Sequence, residues 1–410
     1  MINKYFFLFL LFFVSDLAAK ELQVKSLHVY SSQDQRSFPV IDYSDKTNKS
    51  ITIDFDVDGD FFPAFKIIFK FCDSEWNPYE SAFLQNQMYN TERNLWFETL
   101  PPTVMGARYH YTGSFPNNNV QFPFSGKWRF FIVDSQNNSA IYGYGNFFVV
   151  RPEVKIIAGW TKESADGALS EINSLNRTIA VSAGFILPDS LLQLNVKKVE
   201  MINNRKYNYP IVIDRNKFSG DRYYQWNGSN EFTFVARNLK PGNEYRQTDT
   251  RNYNVYNSST VSSEFGNIET SNLFTRQNRD MNGGSYIIDF KDSYADYLNV
   301  QFKLRSPDNI NAPVFLVGSF TDWEVLPEFQ MNNFNGLFST TLELKRGTYD
   351  YQYVTGNVVD NKVENIDWQV LEGNFWETEN EFYIFLYYET IEKGGYDKII
   401  GYKKIITGAL

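Results

Sequence analysis

Between Pro313 and Val354 apolar side chains return at every second position, a period that strands satisfy and helices do not. Val314, Leu316 and Gly318 alternate with Phe315, Val317 and Ser319 in a run that reads as a strand buried on both faces. A turn with Thr321, Asp322 and Trp323 follows, and Asn333 to Gly336 punctuate the chain again. Phe338, Thr340, Leu342 and Leu344 then alternate with polar neighbours, as in a half-buried strand. After the Arg346-Gly347 turn, Tyr349, Tyr351 and Tyr353 sit two apart, which puts their rings on one sheet face at about 6.8 Å spacing.

The same pattern recurs along the chain, so the expected fold class is all-β, built of tandem immunoglobulin-like β-sandwiches. Ile51, Ile53, Phe55 and Val57 alternate with Thr52, Asp54, Asp56 and Asp58, and Phe65, Ile67 and Phe69 repeat the device. The aspartates read as the solvated face of that strand. A calcium loop over Asp54 to Asp60 is the weaker alternative, because its twelfth position is Phe65 rather than glutamate. Trp128, Phe130 and Ile132 belong to a strand, and Phe147 to Val150 closes a first domain. Tyr79 to Met88 could supply a short pair of helical turns, and Ala165 to Leu175 has a helix-permissive composition weakened by Gly167. The Asn-, Ser- and Thr-rich stretch 248–282 is either a long surface excursion or loosely packed strands. A final strand runs through Phe382, Ile384 and Leu386. With 410 residues the expected partition is a signal peptide over 1–19 and domains over 20–150, 153–296 and 297–410.

Tyr5 to Val14 is an apolar run after Lys4, and Ala18-Ala19 supply a cleavage site, the make-up of a secretory signal. A membrane anchor would need about 20 apolar residues, so direct membrane insertion is not expected. Cys72 stands alone in the chain, which rules out an internal disulfide and suits the periplasm of a double-membraned bacterium. A net charge of −9 leaves no surplus of cations to neutralise a phosphate backbone, so nucleic acid is not an expected partner. Only His28 and His110 are present, without zinc spacing, and Cys72 with His110 lacks the context of a nucleophile and its base. No phosphate loop, dinucleotide fingerprint or Gly-x-Ser-x-Gly occurs. The chain is therefore expected to be no enzyme and to need no cofactor or metal.

Gly318-Ser319-Phe320-Thr321-Asp322-Trp323 and Gly347 to Val354 resemble the immunoglobulin-like early-set domains attached to glycogen- and starch-active enzymes. That resemblance makes Trp323 a candidate sugar-stacking ring, and a periplasmic glycan-binding module is the alternative reading. Taken in order, Lys70 to Trp76, Tyr109 to Asn117, Ser125-Gly126, Gly242-Asn243-Glu244-Tyr245-Arg246, Lys345 to Val354, Glu372 to Glu381 and Tyr396 to Tyr402 resemble the plug proteins of the type IX secretion system. This second resemblance implies a non-catalytic periplasmic protein that binds the periplasmic opening of the outer-membrane translocon barrel and closes it while no substrate is present. Trp76, Arg246 and Trp323 are the residues considered for contact with partner or glycan, each with fold maintenance as the competing role.

Overall fold

The computed structural model describes residues 21–31, 34–164, 176–217, 219–266, 268–306, 310 and 312–408. Six sheets pair into three sandwiches, and short 3-10 turns are the only helical elements among the described residues. No helix of these residues is long and apolar enough to cross a membrane. In the first sandwich, one sheet holds Gln23–Ser31, Ile51–Asp58, Tyr109–Phe115 and Glu98–Thr99 in spatial order. Its partner sheet holds Val40–Asp42, Ile141–Val150, Gly126–Asp134, Phe65–Cys72 and Thr91–Glu92. The aromatic core expected from the alternation lies between them, with Phe55, Phe69, Phe71, Trp128 and Phe147 fully buried.

The second sandwich does not end where the sequence reading places a boundary. One sheet runs Ile157–Ser164, Arg177–Ile186, Glu231–Leu239, Arg222–Trp226, and the other Ile211–Asp214, Val196–Asn203, Asn380–Thr390, Tyr396–Thr407. Val199 thus pairs with Leu386, so the final hairpin belongs to this sandwich and not to the third. The third sandwich is an excursion between these two parts. Gly347–Val359 is its centre, flanked by Arg246–Asp249, Ser285–Ile287, Val314–Gly318 and Lys362–Asp367. Facing it lie Thr260–Ser262, Tyr297–Arg305, Leu337–Lys345 and Asn332–Phe334, with Glu269–Thr270 alongside Tyr297–Arg305.

Tyr349, Tyr351 and Tyr353 share one face as expected and point into the core of this sandwich. Val314 and Leu316 join them, while Phe315 and Val317 pack on the other side with Trp323, the doubly buried strand that the run implied. The described residues of 248–282 are mostly loop, with the end of Arg246–Asp249 and the short strands Thr260–Ser262 and Glu269–Thr270. Residues 79–88 form turns without a helix, and the readings of 1–19 as signal peptide and of 165–175 as helix lie outside the described residues.

Apolar runs without alternation mark where one sandwich meets another. In Ile141–Val150, Phe147 and Val149 enter the first core, whereas Phe148 and Val150 face the second sandwich. In Asn380–Thr390, Phe382, Ile384 and Leu386 fill the second core, whereas Tyr383, Phe385 and Tyr387 face the first. Phe38 stacks on Tyr383 at 3.8 Å between ring centroids and Phe148 on Phe385 at 4.4 Å. These strands are buried on both faces, so the joint is packed like a core.

Candidate functional site

The three residues considered for contact are all buried. Trp323 is 1% exposed; its ring lies 4.1 Å from that of Tyr245, and its Nε1 donates to the Gly283 carbonyl at 2.8 Å. Gly283 has φ +85°, and a Cβ there would stand 2.8 Å from that nitrogen, so only glycine lets the carbonyl reach the indole. A stacking platform needs an open ring face, which Trp323 does not have. Trp76 is edge-on to Phe148 at 5.2 Å in the joint between the first two sandwiches, with the Lys127 ammonium 4.8 Å from its ring. Arg246 donates to Glu372, Glu269 and the Thr270 carbonyl inside the third sandwich. Packing, not contact with a partner or glycan, is the role their surroundings give them. Trp323→Ala should accordingly cost about 3–5 kcal/mol in urea unfolding, with no starch-type oligosaccharide altering the tryptophan fluorescence of either protein.

The Asp54-Asp56-Asp58 face, read as solvated, is instead covered by the third sandwich. Asp56 is 1% exposed; its Oδ1 bonds His110 Nδ1 at 2.8 Å, and its Oδ2 meets Lys345 Nζ at 2.7 Å and accepts from the Tyr297 hydroxyl at 2.8 Å. Lys25 bridges Asp58 at 3.0 Å and Glu343 at 2.6 Å, and His110 stacks on Phe290 with ring centroids 3.7 Å apart. Burial pushes Asp54 up to about 6, against the opposing pull of His110 and Lys345. These carboxylates therefore tie one sandwich to another. Cys72 is equally committed, since it is buried, burial pushes its thiol up to about 12, and its Sγ donates to the Lys70 carbonyl at 3.6 Å.

The joint between the first and second sandwiches is also polar at its centre. Lys127 Nζ lies 3.0 Å from Glu200 and donates to the Ser74 carbonyl at 2.6 Å, and Lys198 Nζ is 2.8 Å from the same Glu200. Ser125 Oγ donates to the Ile399 carbonyl at 2.5 Å. Buried charges of this kind fix one arrangement, because any slippage would leave a charge unpaired.

Several aromatic rings of the first sandwich remain open to a partner. Phe61 and Phe62, in the turn between Ile51–Asp58 and Phe65–Cys72, are 62% and 63% exposed, and Trp96 is 85% exposed. Phe62 is held edge-on by Phe97 at 5.9 Å and Tyr109 at 5.3 Å, and Phe97 packs in turn on Phe55 and Phe65. Rings presented on a rigid core lose little freedom when a partner covers them, the property that concentrates aromatics at interfaces. Asp60 with Arg108 and Glu98 with Lys291 add charged pairs in the adjoining segments. The sequence reading passed over these rings; their signal is a pair of aromatics placed directly after Gly59-Asp60, outside the strand alternation.

Residues 24–151 match the family described as the type 9 secretion system plug protein first domain. The crystal structure of a hypothetical protein from Parabacteroides merdae superposes with a TM-score of 0.75 at 20% identity, covering 95% of this chain and 98% of that one. That likeness shows the three-sandwich fold to be shared. No curated protein matches.

Proposed function

With residues 24–151 forming a type 9 secretion system plug protein first domain, and hence a part in type IX secretion, we propose that the chain closes the periplasmic opening of the outer-membrane translocon barrel while no substrate is in transit. The family match carries this reading, because it falls on the sandwich that presents Phe61, Phe62 and Trp96. A stopper must be rigid enough to resist deformation by the pore it blocks, and the buried ion pairs and stacked rings at the joints supply that rigidity. Its grip must also be reversible. A small aromatic patch beside charged pairs suits a moderate interface better than a broad apolar one.

The test is recovery of the tagged protein from its own envelope. A very large barrel subunit should co-purify with it. Replacing Phe61 and Trp96 together by aspartate should cut that recovery at least about tenfold while leaving the unfolding midpoint unchanged, since truncated hot spots cost about 2 kcal/mol or more each. Absence of the barrel, or equal recovery with the variant, would defeat the proposal. Deleting the gene should also make the outer membrane leakier to large solutes only in cells that keep the translocon.

A further inference from the structure

A cavity of about 240 Å³ opens between the second and third sandwiches, and Lys206, Arg222, Lys240, Tyr209, Trp368 and Glu244 are among its lining. Lys206 follows the strand Val196–Asn203 through a turn in which Asn204 has φ +52°. Its ammonium lies 4.0 Å from the centre of the Trp368 ring, 5.4 Å from Tyr245 and 5.8 Å from Trp323. Among the described residues no carboxylate comes within 4.0 Å of it. Ring faces attract a cation but do not replace the anion or water it gives up on burial. Burial accordingly holds Lys206 down to about 7, with Asp280 acting in the other direction.

The rest of the lining leaves this cation uncompensated. Arg222 spends Nη1 on the carbonyls of Asp221 and Arg237. Glu372 also borders the cavity, but its carboxylate is occupied by Arg246. Glu244 accepts the Glu379 amide on Oε1, while its buried Oε2 has no partner, and burial pushes its carboxyl up to about 7. Three basic side chains, Lys206, Arg222 and Lys240, thus border a cavity in which Glu372 is paired with Arg246, in a protein whose net charge is −9.

We propose that this cavity binds a carboxylate group, held by Lys206, with the adjoining apolar part of the ligand against Trp368 and Tyr209. The inference does not depend on the plug reading. A carboxylate of this kind could be a peptide's C terminus or an acidic side chain, and two probes separate the sources. The full chain is titrated with N-acetylated Gly-Ala-Phe bearing a free C terminus, with its C-terminal amide, and with the amide of N-acetylated Gly-Asp-Phe, reading tryptophan fluorescence and binding heat. A saturable response to the free acid but not to the Gly-Ala-Phe amide supports a C-terminal carboxylate, and a response to the aspartyl amide supports a side-chain one. Lys206→Gln should weaken either response at least about tenfold, as loss of a charge-assisted hydrogen bond does. Should that variant fail to fold, Arg222→Gln, which removes one of the flanking cations, should weaken it severalfold. No saturable response to any of the three peptides, equal binding of acid and amide, or undiminished binding by Lys206→Gln would overturn the assignment.

Discussion

Asp56→Asn should lower the free energy of unfolding by about 3–5 kcal/mol, the cost of leaving one partner of a buried ion pair without the other. The partner left behind is Lys345, 2% exposed and 2.7 Å from Asp56 Oδ2. Asparagine keeps the shape and can still bond His110 or Tyr297, so the loss isolates the charge. A second substitution in the same protein, Lys345→Met, should restore most of the stability, because removing both members of a buried pair is close to neutral where removing one is not. The pH dependence separates this account from a packing defect. Burial by itself would raise the Asp56 pKa, but the His110 hydrogen bond and the Lys345 charge outweigh it and hold the group below its ordinary value of 3.8. A depressed acid contributes its stability above the unfolded value and loses it as the pH falls through the lower, folded one. The gap between wild type and Asp56→Asn should therefore persist above pH about 5, shifting near 6 where Asp54 loses the repulsion of Asp56, and close only below about 4. Urea unfolding at several pH values, with all four proteins of the double-mutant cycle, measures both quantities.

The same aspartate shows where reading from sequence stops. Alternation at Ile51–Asp58 correctly sends Ile53, Phe55 and Val57 into a core, but it says only that the other face is polar. Whether that face meets water or another sandwich depends on Tyr297 and Lys345, more than two hundred residues further on. Unbroken runs say more. Phe147 to Val150 and Phe382 to Tyr388 lack a polar face, so they must be covered twice. Even there the identity of the cover is silent, which is why the last hairpin was assigned to the third sandwich although it pairs with Val196–Asn203. Turn aromatics are the least legible. Trp323 and Trp96 each sit in a loop, yet one is sealed against Tyr245 and the other is open to solvent. Aromatic content marks both as consequential, and only the tertiary packing tells a joint from a docking surface.

Arg246→Met should be at least as damaging as loss of Asp56, and its gap to wild type should close at much milder acidity. The guanidinium donates from Nε to both oxygens of Glu372 at 3.0 Å, from Nη1 to Glu269 at 2.9 Å and from Nη2 to the Thr270 carbonyl at 2.7 Å. Burial would discharge it, but the two carboxylates outweigh that cost and raise its pKa. Methionine fills part of the volume and leaves Glu269 and Glu372 buried with no cation between them. Glu269 keeps Ser263 and the Tyr353 hydroxyl as donors, and Glu372 keeps the Tyr353 amide and Asn272. These neutral donors cannot offset two like charges, so the expected loss is about 3–5 kcal/mol or more. Arg246→Lys, which keeps the charge but not the planar fork, should lose about 1.5–3 kcal/mol, the worth of hydrogen bonds to charged groups. In the methionine variant the exposed route to relief is protonation. Each buried carboxyl will titrate above its unfolded value, so the native state binds more protons than the unfolded one, and stability rises as the pH falls from about 7 towards 5. Wild type lacks that gain at this site, because its guanidinium sits between the two carboxylates at 2.9 and 3.0 Å. Unfolding curves for the two proteins should thus converge on mild acidification, whereas those for wild type and Asp56→Asn stay apart over the same interval. Parallel curves for Arg246→Met and wild type between pH 7 and 5 would mean that the carboxylates had found other cations or water, and the ion cluster would lose its place as the centre of the third sandwich's stability.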